Sequence, residues 1–180
     1  CEATGNIEYW TCSKCHKYFS DENAADEIEE ADTIVAKSPH TFGSGTVTIP
    51  PEVGKEGTIT YACSVCGAEK SETIPALEES QAETFAEIEE TQAAVEDAMI
   101  VAGDVTESST QAEFDEAASQ TESAVTDTAA VLEEAETVLD SAVETYGADS
   151  PAAAYAREKV TQAKTIHAQA LRASATVQYA

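Results

Sequence analysis

The sequence predicts an α+β protein in separate parts: a small two-copy β-rich module, then an elongated antiparallel three-helix bundle or coiled coil. Three observations predict it. All five cysteines, four of the five prolines and six of the eight glycines stand before residue 77, and 25 of the last 104 residues are alanine. A phrase ending in C-x-x-C occurs twice in the first part. An unbroken heptad alternation runs through the middle of the second. The boundary falls near Pro75-Ala76-Leu77, giving a module over 1–76 and helices over 77–180.

In the module, Gly5-Asn6-Ile7-Glu8-Tyr9-Trp10-Thr11-Cys12-Ser13-Lys14-Cys15 returns as Gly57-Thr58-Ile59-Thr60-Tyr61-Ala62-Cys63-Ser64-Val65-Cys66, one residue shorter. Each copy offers a glycine, a β-prone stretch and a C-x-x-C pair. The copies span about 1–38 and 45–76, closing on Thr33-Ile34-Val35-Ala36 and Thr73-Ile74-Pro75-Ala76. Thr46-Val47-Thr48-Ile49 is a further strand, stopped by Pro50-Pro51. Neither copy has the apolar content to stand alone. Tyr9, Trp10, Tyr18, Phe19, Phe42 and Tyr61 are the expected shared core, reinforced by whatever the cysteines bind.

The wording of residues 5–21 and 57–77 resembles tandem repeats in large secreted or surface-anchored proteins of Gram-positive gut bacteria, which recur beside adhesive or carbohydrate-active domains. The resemblance covers about the first 77 residues and implies an address outside the cell more than an activity. Such repeats often carry a Cys shortly before the Gly. Cys1 fits that place in the first copy, whereas Val53 occupies it in the second. The resemblance also reads Cys1 as an internal residue of a longer chain rather than a lipidated N-terminus.

Two C-x-x-C pairs suit a zinc knuckle, because a two-residue turn aims both thiolates at one ion and two knuckles complete a tetrahedron. The expected metal ligands are Cys12, Cys15, Cys63 and Cys66, with Cys1, His16 and His40 as alternates. In one such alternative, Cys1, Cys12 and Cys15 join His16 or His40 in the first copy alone. Disulfides are the competing reading for an extracellular chain, although five cysteines leave one unpaired. Cys12-Ser13-Lys14-Cys15-His16 also satisfies the C-x-x-C-H pattern of c-type heme attachment, with His16 as the proximal ligand and His40 or His167 distal. Against heme, the second copy has Gly67 where a second His would stand. No βαβ pattern surrounds either pair, so a thioredoxin-like role is the weakest reading.

From Leu77 the pattern changes to a period near 3.5. The first helix is expected over about 77–102, with Phe85, Ile88, Val95 and Met99 on one stripe and a break at Gly103-Asp104. The second, over about 108–146, carries the seam Phe114, Ala118, Thr121, Val125, Thr128, Leu132, Ala135, Leu139, Ala142 and Tyr146. Gly147 stops it, and Ser150-Pro151 caps and opens the third helix over about 151–179. There Val160, Ala163, Ile166, Ala170 and Val177 face inward, and His167 lies at a helix interface. Short connections favour an up-down-up arrangement.

Charge narrows the function. With 35 acids against 9 bases the chain carries −26, which repels nucleic-acid phosphates. The longest apolar runs, such as 98–102, fall far short of the roughly 20 residues a membrane span needs. Among residues 77–180 the bases are Arg157, Lys159, Lys164 and Arg172, all on the third helix, so docking it offsets the repulsion of the other two. The acid runs read as solvated faces, since no calcium-loop spacing appears. Nothing assembles a nucleophile, a base and an orienting group, and no small-molecule substrate is evident. The expectation is a non-enzymatic, secreted or cell-surface segment: a spacer, stalk, adhesin or filament module with protein partners or self-association. A c-type heme electron carrier and a metal-stabilised protein-binding module are the alternatives.

Overall fold

The computed structural model describes Cys1 and residues 3–178, and shows small antiparallel sheets followed by three helices. The strands are β1 Gly5–Asn6, β2 Trp10–Thr11, β3 Tyr18–Phe19, β4 Glu27–Ile28, β5 Ile34–Val35, β6 Thr46–Ile49, β7 Gly57–Ala62 and β8 Glu69–Ile74. The helices are α1 Glu79–Asp104, α2 Gln111–Tyr146 and α3 Pro151–Gln178. Residue 179, the expected end of the third helix, lies outside the described residues. The chain forms two compact units, residues 1–45 with 61–70, and residues 46–60 with 71–180.

In the first unit, β1 pairs antiparallel with β5, Gly5 opposite Val35 and Asn6 opposite Ile34. A three-stranded sheet runs β2-β3-β4, with Trp10 opposite Phe19 and Tyr18 opposite Ile28. The loop between β3 and β4 is organised by Asp21, whose carboxylate accepts the backbone N–H groups of Asn23, Ala25 and Asp26 at 2.8–2.9 Å. Those bonds, Asp26 foremost, hold the Asp21 carboxyl below its ordinary range.

The expected aromatic core is realised only in Phe19, which is buried. Tyr9 is 37 % exposed, and Trp10, Tyr18, Phe42 and Tyr61 are half-buried. Two-residue strands present too little surface to enclose a ring on both sides, so the aromatics lie along the sheets; Tyr9 and Tyr18, for example, meet at 5.5 Å between centroids.

In the second unit, β6 pairs with β7 through a bulge between Val47 and Ile49, and Pro51 is buried behind it. Gly57 permits this approach, since a Cβ there would stand 2.6 Å from the Ile49 oxygen and the Pro51 nitrogen. Ile59 on β7 and Ile74 on β8 are the apolar anchors, at 2 % and 1 % exposure. The connector after β8 is tied down: the Leu77 N–H donates to Glu52 O at 3.1 Å, and residues 74–77 line a small apolar cleft with Phe85, Ala142 and Tyr155.

The three helices pack against one another, α2 against α3 most extensively. On α1 the buried side chains are Thr84, Phe85, Ile88, Val95, Ala98 and Ala102; Met99, expected inward, is 45 % exposed. Continuing from Val95 by steps of three and four places Ala98 and Ala102 on the seam and leaves Met99 on its flank. The helix also runs through Gly103 to Asp104, past the expected break. On α2 the buried set is Ala117, Thr121, Ala124, Thr128, Val131, Ala135 and Ala142. Thr121, Thr128, Ala135 and Ala142 match the expected seam. Phe114, Ala118, Val125, Leu132 and Leu139 are only half-buried, and Tyr146 is exposed. The centre of the face lies one residue earlier at alternate positions, Ala117, Ala124 and Val131, whose small side chains let α2 approach two neighbours at once. All five residues expected inward on α3 are buried, joined by Ala153, Tyr155, Ala156 and Ala173.

The helix ends follow their sequence signals. Thr110 caps α2 in a reciprocal box with Glu113, so the helix starts at Gln111 rather than at 108 or 109. Gly147 closes it at φ +92°, and the Ser150 hydroxyl accepts the Ala153 N–H at 3.2 Å to open α3 behind Pro151. The cations of α3 reach the acidic helices as expected: Lys159 lies 3.6 Å from Glu89 on α1, and Lys164 lies 2.9 Å from Glu136 on α2. Lys159 also lies over the Phe85 and Tyr155 rings, 5.9 Å from each centroid.

Candidate metal centre

Both C-x-x-C segments fold into the same tight turn. At the second, the Gly67 N–H donates to Cys63 O at 2.9 Å and the Cys63 N–H to Ala68 O at 2.8 Å. At the first, the His16 N–H donates to Cys12 O at 2.8 Å and the Cys12 N–H to Lys17 O at 3.0 Å. The residue after the second cysteine is left-handed in both, His16 at φ +57° and Gly67 at +73°. The turn aims backbone N–H groups at the first sulfur. Val65 and then Cys66 bring the Cys63 thiol down to about 6, against a burial that pushes upward, and His40 and Thr41 add to the lowering. Cys15 and Lys14 lower the Cys12 thiol in the same way.

Strand pairing brings two further ligands to the Cys63 turn. The register that sets Gly5 opposite Val35, carried on four residues, places Cys1 beside Pro39, and the Cys1 thiol lies 3.8 Å from the Pro39 oxygen. The segment after Pro39 then runs antiparallel to β7 and the turn: Phe42 bridges Cys63, and Ser64 donates to Thr41 O at 2.9 Å. His40 is thereby laid against Cys66, its Nδ1 3.3 Å from Sγ, with its ring stacked on Phe42 at 5.6 Å. Cys1 Sγ is 3.9 Å from Cys63 Sγ. Lys70 stands over the Phe42 and Tyr61 rings at 5.0 and 4.7 Å.

The outcome is one cluster, Cys1, His40, Cys63 and Cys66, whose ligand atoms all lie within 4.8 Å of one another. Cys63 is 3 % exposed, while Cys66 and His40 are open to solvent. Of the four cysteines expected to share an ion, the structure brings Cys63 and Cys66 together with two of the alternates, Cys1 and His40. Cys12, Cys15 and His16 are not part of the cluster. All five cysteines are free thiols. His167, considered as a distal heme ligand, instead meets Thr128 across the α2–α3 interface at 3.0 Å. The signal for Cys1 and His40 lay in the pairing of two short strands, which no cysteine spacing reveals.

Three thiolates and one imidazole form a ligand set for a tetrahedral divalent ion. No protein-family model, curated protein or solved structure matches the chain. Among the described residues no helix is long and apolar enough to cross a membrane.

Proposed function

We propose that this chain is a non-enzymatic structural and interaction segment of a secreted or cell-surface protein, a spacer or stalk of an adhesin or filament. Its β module is stapled by a structural zinc ion on Cys1, His40, Cys63 and Cys66. The observation that carries this reading is the convergence of those four ligand atoms within 4.8 Å. Zinc–sulfur bonds of about 2.3 Å and zinc–nitrogen bonds of about 2.0–2.1 Å put tetrahedral edges at about 3.8 Å for S–S and about 3.5 Å for S–N. The S–S separation of 3.9 Å and the S–N separation of 3.3 Å are close to those edges. Strands of two residues cannot supply a sufficient core, and an ion tying Cys1 to a turn more than sixty residues on supplies the missing constraint.

In this reading the module is two copies of one unit, supported by the matching turns at Cys12 and Cys63. The helices form an antiparallel three-helix bundle with a coiled-coil seam, supported by the seven-residue spacing of Thr121, Thr128, Ala135 and Ala142. The bundle sets distance and presents an acidic surface to protein partners or to other copies. The extracellular address is supported by the wording shared with surface-protein repeats.

Intact mass of the folded chain, repeated after denaturation without reductant, tests the metal. A zinc-sized excess that disappears on unfolding is expected, with one zinc fewer per chain in Cys63→Ser. A deficit of two hydrogens that survives denaturation and maps to Cys1, Cys63 or Cys66 would establish a disulfide there and overturn the staple. A heme-sized excess that survives would make the chain an electron carrier through Cys12, Cys15 and His16.

A further inference from the structure

The two C-x-x-C turns are built alike but equipped differently. Each closes with the same pair of backbone hydrogen bonds, and each directs the amides of its second and third following residues at the leading sulfur. The Cys63 turn meets two more ligands. The Cys12 turn does not: among the described residues no third Cys, His, Asp or Glu joins Cys12 and Cys15 in a metal-sized group. Cys15 is exposed and Cys12 half-buried, so the pair is reachable from outside.

We infer that Cys12 and Cys15 are half of a second metal site, completed by Cys12 and Cys15 of a second copy of this chain around a shared zinc-class ion. Two identical turns related by a two-fold axis supply four thiolates, one of the closed ligand sets of structural zinc. On binding, four thiols release four protons to solvent, and the ion's two positive charges leave the centre with two negative ones.

The surroundings suit that charge. Lys14 stands inside the turn, and Lys17 follows it, paired with Glu27 at 2.7 Å while also feeling the Cys15 sulfur. The chain as a whole carries −26, which opposes the approach of two copies, and Lys14 and Lys17 offset part of that charge beside the thiols. A Cys/His-bearing segment of a different polypeptide would use the same chemistry, and it is told apart because this chain alone would then stay monomeric. The inference concerns a site separate from the Cys1/His40/Cys63/Cys66 cluster.

The test is titration of cobalt(II) into the reduced, metal-free chain at about 0.15 M salt, where exposed charges are screened beyond about 8 Å. Visible absorption reports the ligand set, and light scattering reports the mass. Three ions per two chains are expected, with the mass doubling as the last is taken up. Cys12→Ser/Cys15→Ser is expected to bind two ions per two chains, to remain a monomer and to keep the absorption of the three-thiolate site, which shows that it folds. Three results would overturn the inference: saturation of the wild type at two ions per two chains without a mass change, a third ion taken up without a mass change, or a dimer that persists in the double variant. Loss of the cluster's own ion in the wild type would instead overturn the zinc staple and leave the shared site separately readable.

Discussion

His16 and Gly67 hold the same place in two turns of the same shape, at φ +57° and +73°. A left-handed backbone costs a residue with a side chain roughly 1–2 kcal/mol that glycine does not incur. His16→Gly is therefore expected to stabilise its unit by about 1 kcal/mol, and Gly67→Ala to destabilise it by a similar amount. A Cβ at Gly67 meets nothing within 4 Å, so the second change acts through the backbone alone. Urea unfolding midpoints, compared at one fixed metal content, measure both, and a His16→Gly variant less stable than wild type would show that the imidazole is needed where it stands.

Thr128 gives its hydroxyl proton to Ala124 O at 2.6 Å, which makes His167 Nδ1, at 3.0 Å, the donor to its oxygen. Thr128→Val leaves that half-buried imidazole without its acceptor and is expected to cost about 1–2 kcal/mol. Thr121, equally buried, bonds among the described residues to Ala117 O and Ala118 O of its own helix, so Thr121→Val is expected to be near neutral. Thermal unfolding of the two variants side by side is the check, and equal losses would mean that the interhelical bond contributes nothing.

Ala135 is fully buried where α2 faces its neighbours, and Ala130 on the same helix is exposed. Ala135→Leu is expected to destabilise by about 1–3 kcal/mol through overpacking, and Ala130→Leu to change little. Circular dichroism during denaturation separates them.

The Thr110 backbone N–H, and then its hydroxyl, hold the Glu113 carboxyl below its ordinary value, at distances of 2.7 and 2.8 Å. Because the folded value lies below the unfolded value of about 4.3, this contribution is complete above the unfolded value and lost as pH falls through the folded one. Protonation of the other acids relieves repulsion over the same range, so the comparison is between wild type and Glu113→Gln. Their stability gap is expected to be constant from about pH 7 to 5 and to shrink below. A gap unchanged down to about pH 3 would remove the cap from the account.

The helical part was legible because its signals are local. Gly147, Ser150 and Pro151 mark the α2–α3 connection, and the alternation through Thr121, Thr128, Ala135 and Ala142 survives in the packing. What the pattern could not locate was the centre of a face shared by two neighbours, where Ala117, Ala124 and Val131 are buried in place of the adjacent Ala118, Val125 and Leu132. The candidate metal cluster was half legible. Cys63 and Cys66 announce themselves by spacing, whereas Cys1 and His40 arrive through the register of β1 on β5 and the path of residues 39–43 along the turn. Ligand grouping is a property of strand pairing, and two-residue strands leave almost no periodic trace.

The four cations of residues 77–180 all belong to α3, and two of them reach across to Glu89 and Glu136. As the polypeptide emerges from the ribosome, α1 and α2 appear first, both anionic and without a counter-charge of their own. Their pairing is therefore expected to strengthen once the 28 residues of α3 are present, since these bring the counter-charge and nine buried side chains. A chain interrupted at the Gly147 turn is expected to hold α1 and α2 together less firmly than one that carries α3.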